Sequence, residues 1–227
     1  MDIQFLGQSC FLLSTDDAKV LIDPFLTGNP KGGAKAEDVE CDVIALTHGH
    51  ADHFGDTLDI AKRTGAKVVT IVEIADEINS DEDNGVEAID PNFGGTVEFD
   101  WGWIRLVPAW HTSTTPKGTV AMPAGLVISI GGQVIYHLGD TCLFSDLALP
   151  GKRDPIDIAL VPIGGHYTMD RIDAVTAVEF VGCNTVIPCH YDTFPPIETD
   201  AEAFKSDVES KTSAICVILE SGETHSV

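Results

Sequence analysis

The stretch Asp42-Val43-Ile44-Ala45-Leu46-Thr47-His48-Gly49-His50-Ala51-Asp52-His53 runs from an apolar segment directly into a cluster of metal-ligand side chains. The continuous run from Val43 to Leu46 has the character of a strand buried on both faces. His48-x-His50-x-Asp52-His53 therefore begins where a strand ends. Imidazole and carboxylate together suit zinc, manganese, iron or nickel. In a regular strand, positions 48, 50 and 52 would share one face and 53 would point away. A tight turn, eased by Gly49, would instead divide the side chains between two neighbouring metals, with a helix beginning near Phe54-Gly55-Asp56.

One such cluster supplies too few ligands for two coordination spheres, and suitable residues recur at later strand exits. His111 follows Leu106-Val107-Pro108-Ala109-Trp110, Asp140 follows Ile135-Tyr136-His137-Leu138-Gly139, and His190 follows Val186-Ile187-Pro188-Cys189. Any one of them alone reads equally well as an ordinary turn residue. Their common position at strand exits, where loops carry functional groups, joins them to the first cluster.

Outward from the cluster, both flanks read as strands followed by α/β units. Ile3–Leu6, Cys10–Leu13 and Val20–Ile22 form a predicted meander, and Gly28–Glu40 an exposed loop. A helix is expected over Asp56–Thr64 with Leu58 and Ala61 inward, then a strand over Lys67–Val72 and a helix over Glu73–Asn79. Gly95–Pro108 and Ala124–Leu138 return to strand patterns, the second turning at Gly131-Gly132. Ile158–Pro162 is a strand, Asp170–Val181 a helix capped by Asp170 and ended by Gly182, and Thr185–Pro188 a strand. Asp200–Ser210 reads as a helix and Ala214–Leu219 as the last strand. The pattern fits two packed sheets with helices outside, in one domain spanning residues 1–227.

Thirty-six acidic against 13 basic residues give a net charge of −23, which repels a nucleic-acid backbone and an anionic membrane surface. Such acidity keeps a surface solvated and suits a salty cytoplasm. No segment approaches the ~20 apolar residues of a membrane helix, and the opening residues lack a signal-peptide pattern, so a cytoplasmic location is expected. The six cysteines are scattered, without a C-x-x-C pair, and read as reduced and mostly buried.

With these motifs in place, the chain resembles the metallo-β-lactamase superfamily. The resemblance implies a four-layer αββα sandwich of two mixed β-sheets flanked by helices. It implies that His48, His50 and His111 hold a first metal and that Asp52, His53 and His190 hold a second. Asp140 would bridge them, and Asp23, in Leu21-Ile22-Asp23-Pro24, would support the site from behind. Gly7-Gln8-Ser9-Cys10-Phe11, Pro162-Ile163-Gly164-Gly165-His166-Tyr167-Thr168-Met169 and Pro188-Cys189-His190-Tyr191-Asp192-Thr193-Phe194-Pro195 further resemble an uncharacterised family of metal-dependent hydrolases close to the ascorbate-6-phosphate lactonases.

The expected chemistry is hydrolysis of a small ester, lactone or phosphoester by a metal-bound hydroxide. Two divalent ions would serve, zinc foremost, with manganese, iron or nickel as alternatives. Asp52 would position the water while acting as a ligand, and His166, after Gly164-Gly165, is a candidate for contacting an oxyanion or carrying protons. His137, inside a strand, reads as a buried hydrogen-bonded residue, and Cys189 should face away from the metals. The loop Thr112–Val120, with Ser113 and Lys117, could shape the entrance. Competing readings are a phosphodiesterase, including one directed at nucleic acid, and a non-enzymatic metal-binding protein of the same fold. The expected partner is a small-molecule substrate, with no nucleic acid and no membrane; a homo-oligomer is compatible with the sequence.

Overall fold

The computed structural model describes residues 1–81 and 83–227. Two mixed sheets of seven strands each pack face to face with helices outside, the expected αββα sandwich. The first sheet contains β1 (Asp2–Gly7), β2 (Cys10–Ser14), β3 (Lys19–Ile22), β4 (Val43–Ala45), β5 (Lys67–Val69) and β6 (Ala88–Ile89). Its far edge is β14 (Thr224–Ser226), which returns from the C-terminal end to pair with β1. The second sheet contains β7 (Thr96–Phe99), β8 (Gly102–Pro108), β9 (Ala124–Ile130), β10 (Gln133–His137), β11 (Ile158–Pro162), β12 (Thr185–Cys189) and β13 (Ile215–Cys216).

Each sheet repeats one plan. An antiparallel meander, β1-β2-β3 or β7-β8-β9-β10, passes into three further strands that run parallel to its last member. Tight turns suffice for the meanders; the parallel strands need crossovers, and helices supply most of them. These are α1 (Ala51–Phe54), α2 (Thr57–Thr64), α3 (Val72–Asn79), α4 (Leu149–Arg153), α5 (Arg171–Val181) and α6 (Ala201–Lys211).

The two-residue period of β11 shows how the layers form. Ile158 and Leu160 join the core shared with the first sheet, while Ala159 and Val161 meet Ala174, Val178 and Val181 of α5. The helix α5 starts at Asp170, whose carboxylate accepts from the backbone N–H groups of Ile172 and Asp173, and stops at left-handed Gly182. Both ends stand where the sequence placed them.

Several boundaries differ from expectation. The α2 helix buries Ile60 and Ala61, whereas Leu58 is only half-buried, because the 3.6-residue period aims position 60 at the sheet. The strand expected over Ala214–Leu219 shortens to β13, at the sheet edge. The strands β6 and β14 were not anticipated, being too short for a periodic signal. All six cysteines are free, and Cys142 alone is exposed. Among the described residues no helix is long and apolar enough to cross a membrane.

Candidate metal centre

Direction explains why distant residues converge. Within the second sheet β8, β10, β11 and β12 share one direction, and within the first β3 and β4 share theirs. Their C-terminal ends deliver Asp23, the 48–53 segment, His111, Asp140 and His190 to one rim of the sandwich. Backbone hydrogen bonds tie the two sheets there: Ala124 N–H donates to Thr47 O at 2.8 Å, and His190 N–H to Gln8 O at 2.7 Å.

The His48-to-His53 segment leaves strand geometry after β4. His50 is the extended cap residue of α1, a helix of a single turn, so Asp52 and His53 sit on helical rather than strand backbone. The helix thus begins at Ala51, earlier than the expected Phe54-Gly55-Asp56, and breaks at Gly55. At φ +38, a Cβ on Gly55 would lie 2.3 Å from Pro24 O, so the chain needs glycine to turn against the Asp23-Pro24 exit. Gly49 serves a different need from the one expected: it has no positive φ, but a Cβ there would come within 2.9 Å of Thr115 Cγ2.

Two ligand groups result. His48, His50 and His111 offer one set of convergent atoms, and Asp52, His53 and His190 another. Asp140 stands between them. Its Oδ2 lies 3.9 Å from His48 Nε2, 3.4 Å from His53 Nε2, 3.5 Å from His111 Nε2 and 3.2 Å from His190 Nε2. Asp52 Oδ2 lies 3.7 Å from both His53 Nε2 and His190 Nε2.

A third grouping joins Asp23 with His48 and His53, but the Asp23 oxygens are already engaged. Fully buried, Asp23 accepts from Thr47 N–H at 2.8 Å, Thr47 Oγ1–H at 2.6 Å and His53 Nδ1–H at 2.8 Å. Since Thr47 Oγ1 donates to Asp23, it accepts from His48 Nδ1–H at 2.9 Å. This network places a proton on Nδ1 of both His48 and His53, so that Nε2 is the ring nitrogen each turns toward the rim; on His53 a bound cation would take the place of the Nε2 proton that Asp140 favours. Asp23 therefore supports the site and does not face it.

The donor set fits a cation. Among the described residues, buried His53 Nε2 and Asp140 Oδ1 have no hydrogen-bond partner, and an unsatisfied buried polar atom costs ~1–3 kcal/mol. His48 Nε2 and His50 Nδ1 are 3.0 Å apart, so these rings either share one proton or direct both lone pairs at one cation. A bound cation would satisfy these atoms together.

Electrostatics separates the two groups. Burial holds the imidazoles of His48, His50 and His111 below their ordinary range, keeping them neutral and able to ligate. Burial would likewise lower His53 and His190, but the Asp140 carboxylate overrides it, raising His53 well above its usual value and His190 to about 9. Burial would push the Asp140 and Asp52 carboxyls up, yet the adjacent His190 and His53 hold both well below the usual range. Both carboxylates are consequently ionised at neutral pH.

Of two residues that close the site, Gln8 was not singled out for a role from the sequence, and Ser113, expected at the entrance, instead holds the motif's backbone. Gln8, at φ +57, donates from Nε2 to Asp52 Oδ2 at 3.0 Å, and Ser113 accepts from Gly49 N–H at 3.0 Å. Gln8 stands in the quoted Gly7-to-Phe11 segment, but nothing in its spacing connects it with position 52. Ser113 and Thr115 set the 112–120 loop against Gly49, Lys117 pairs with Asp81 at the surface, and among the described residues none of that loop lines the cavity.

His166 is not brought into the cluster. It is exposed and packs edge-on against Tyr167, which lines the adjoining cavity in its place. His137 is buried as expected, with Nε2 donating to Ser9 O at 3.1 Å and Nδ1 accepting from Gly139 N–H at 3.0 Å.

A family profile described as the beta-lactamase superfamily domain matches residues 2–190, from β1 through the last of these ligands. The chain belongs to the metallo-β-lactamase superfamily. Within it, the UPF0173 metal-dependent hydrolase of Thermus thermophilus is 45% identical over 212 residues, covering 93% of this chain and 92% of its own. The corresponding protein of Thermococcus kodakarensis is 46% identical over 222 residues, covering 97% of both. Among solved structures, Igni18, a metallo hydrolase from Ignicoccus hospitalis, superposes with a TM-score of 0.89 at 36% identity, covering 99% of this chain and 97% of its own. The superfamily fold and its metal-dependent hydrolase branch thus accommodate nearly the whole chain.

Proposed function

We propose that this metal-dependent hydrolase holds two divalent ions, zinc foremost, and cleaves a small ester, lactone or phosphoester. His48, His50 and His111 would hold one ion, Asp52, His53 and His190 the other, and Asp140 would join them. The observation that carries this reading is Asp140 Oδ2, which faces imidazole nitrogens of both groups at 3.2–3.9 Å. When bound, the ions would supply Lewis acidity to the scissile group and an activated water at neutral pH.

The chain's own residues supply the rest. Gln8 donates to Asp52 Oδ2, the oxygen that faces His53 and His190, and so holds the carboxylate where it would serve as a ligand and orient the attacking water. Asp23 locks His53 directly and His48 through Thr47, so neither ring needs to reorient during turnover. The substrate would be a small molecule in the cytoplasm, since the net charge of −23 disfavours a polyanion.

Elemental analysis should find two ions per chain, and chelation should abolish turnover on a panel of lactones, thioesters and bis(p-nitrophenyl) phosphate. Asp140→Ala should lower the metal content. A fully loaded protein that cleaves nothing on the panel rejects the catalytic reading; unchanged metal in Asp140→Ala rejects the bridge.

A further inference from the structure

The cavity over the metal centre encloses about 590 Å³, within the ~300–1,000 Å³ typical of small-molecule sites. Its floor is the ligand cluster. Its walls are Phe25, Ala51, Tyr167, Phe194 and Pro196, carried by exits from both sheets. Phe25 and Phe194 face one another across the two sheets with ring centroids 6.4 Å apart, and Tyr167 leaves 54% of its surface exposed at the mouth. Aromatic surface gathered over a polar floor is the pattern of a pocket that grips the non-reacting part of a ligand.

Among the described residues, no lysine or arginine lines this cavity. Arg105 is buried against Asp154 and lies over Trp103, Arg153 approaches the same Asp154, and Arg171 pairs with Asp207. A phosphate remote from the scissile bond would find no cation among these walls, and an unpaired charge pressed against apolar surface is strongly disfavoured. The remaining charge of the chain, −23 overall, adds repulsion.

We infer that the substrate is a carboxylic ester or lactone without an anionic group, its aliphatic or aromatic part held between Phe25, Tyr167 and Phe194, and not a sugar phosphate. This rests on the hydrolase reading above and narrows its substrate class. In the reaction the oxygen of water bonds to the acyl carbon and the acyl–oxygen bond breaks. A proton from that water passes to the departing alkoxide, giving an acid and an alcohol, or one hydroxy acid from a lactone.

The test uses the metal-loaded full chain with p-nitrophenyl acetate, butyrate and hexanoate, and with p-nitrophenyl 4-phenylbutanoate and its ring-sulfonated form. With apolar walls, kcat/KM should rise about fourfold per methylene until the cavity is filled. The sulfonated ring should lower it by about tenfold or more. Phe194→Ala and, independently, the exposed Tyr167→Ala should flatten the chain-length dependence at unchanged metal content. Calorimetry with 4-phenylbutanamide and its ring-sulfonated form gives a second readout, and the uncharged compound should bind more tightly.

A flat chain-length series, or the sulfonated ring preferred over the neutral one, overturns the inference while leaving hydrolysis standing. If no ester is cleaved but the uncharged amide binds more tightly, the hydrolase reading fails and the apolar preference stands. If nothing is cleaved and the amide does not bind, both fail.

Discussion

Asp23 shows how much one side chain without reactive chemistry of its own can govern. At φ +43 it occupies left-handed backbone that a non-glycine residue enters at a cost, and it is fully buried. In return, its oxygens hold Thr47, and through it His48, while gripping His53 directly. Asp23→Asn would set an amide N–H₂ or leave a poorer acceptor against donors that need a carboxylate. Metal affinity should fall by about 10–100-fold with the fold retained, as read by chelator competition beside far-UV circular dichroism. Unchanged affinity would mean that packing alone orients the rings. The importance of a strand-end aspartate before Pro24 was legible in the family likeness, but its partners Thr47 and His53 were not, because they depend on β3 and β4 lying side by side. Gln8 and His190 have left-handed backbone as well, at φ +57 and +52, and no local pattern in the sequence announces this.

At the scale of elements, the strongest periodic or capped segments were the most legible. The hairpin between β9 and β10 turns at Gly131-Gly132, both with positive φ, and α5 runs between Asp170 and Gly182. The α6 helix likewise starts after Asp200, whose carboxylate accepts from Ala203 N–H at 2.9 Å. Asp200→Ala should therefore lower unfolding free energy by ~1 kcal/mol in a denaturant titration. It should leave metal content untouched, because α6 packs through Phe204 and Val208 against the second sheet's outer face. A coupled loss of metal would contradict the separation of that layer from the rim. The single-turn α1 was not legible: its four residues carry no helical period, and its start and stop are set by His50 and by Gly55 packed on Pro24.

Across the whole molecule, a net charge of −23 places many like charges on one compact surface. Added salt should screen their mutual repulsion, so Tm should be higher in ~0.5 M sodium chloride than at low ionic strength. Scanning calorimetry of metal-loaded protein in both buffers decides this; a lower Tm in salt would show that attractive surface pairs such as Arg171–Asp207 dominate instead. Composition, strand and helix periods and the ligand motifs are local properties, so the sequence by itself determined the layered α/β architecture and the residue types of the metal centre. It could also place His111, Asp140 and His190 at strand exits. Only the tertiary structure decided that those exits share one rim, that Gln8 meets Asp52, that Tyr167 rather than His166 faces the cavity, and that among the described residues no lysine or arginine lines its walls. The physical reason is that side-chain chemistry is written residue by residue, whereas convergence depends on strand direction, register and the packing of two sheets whose contacts join residues far apart in the chain.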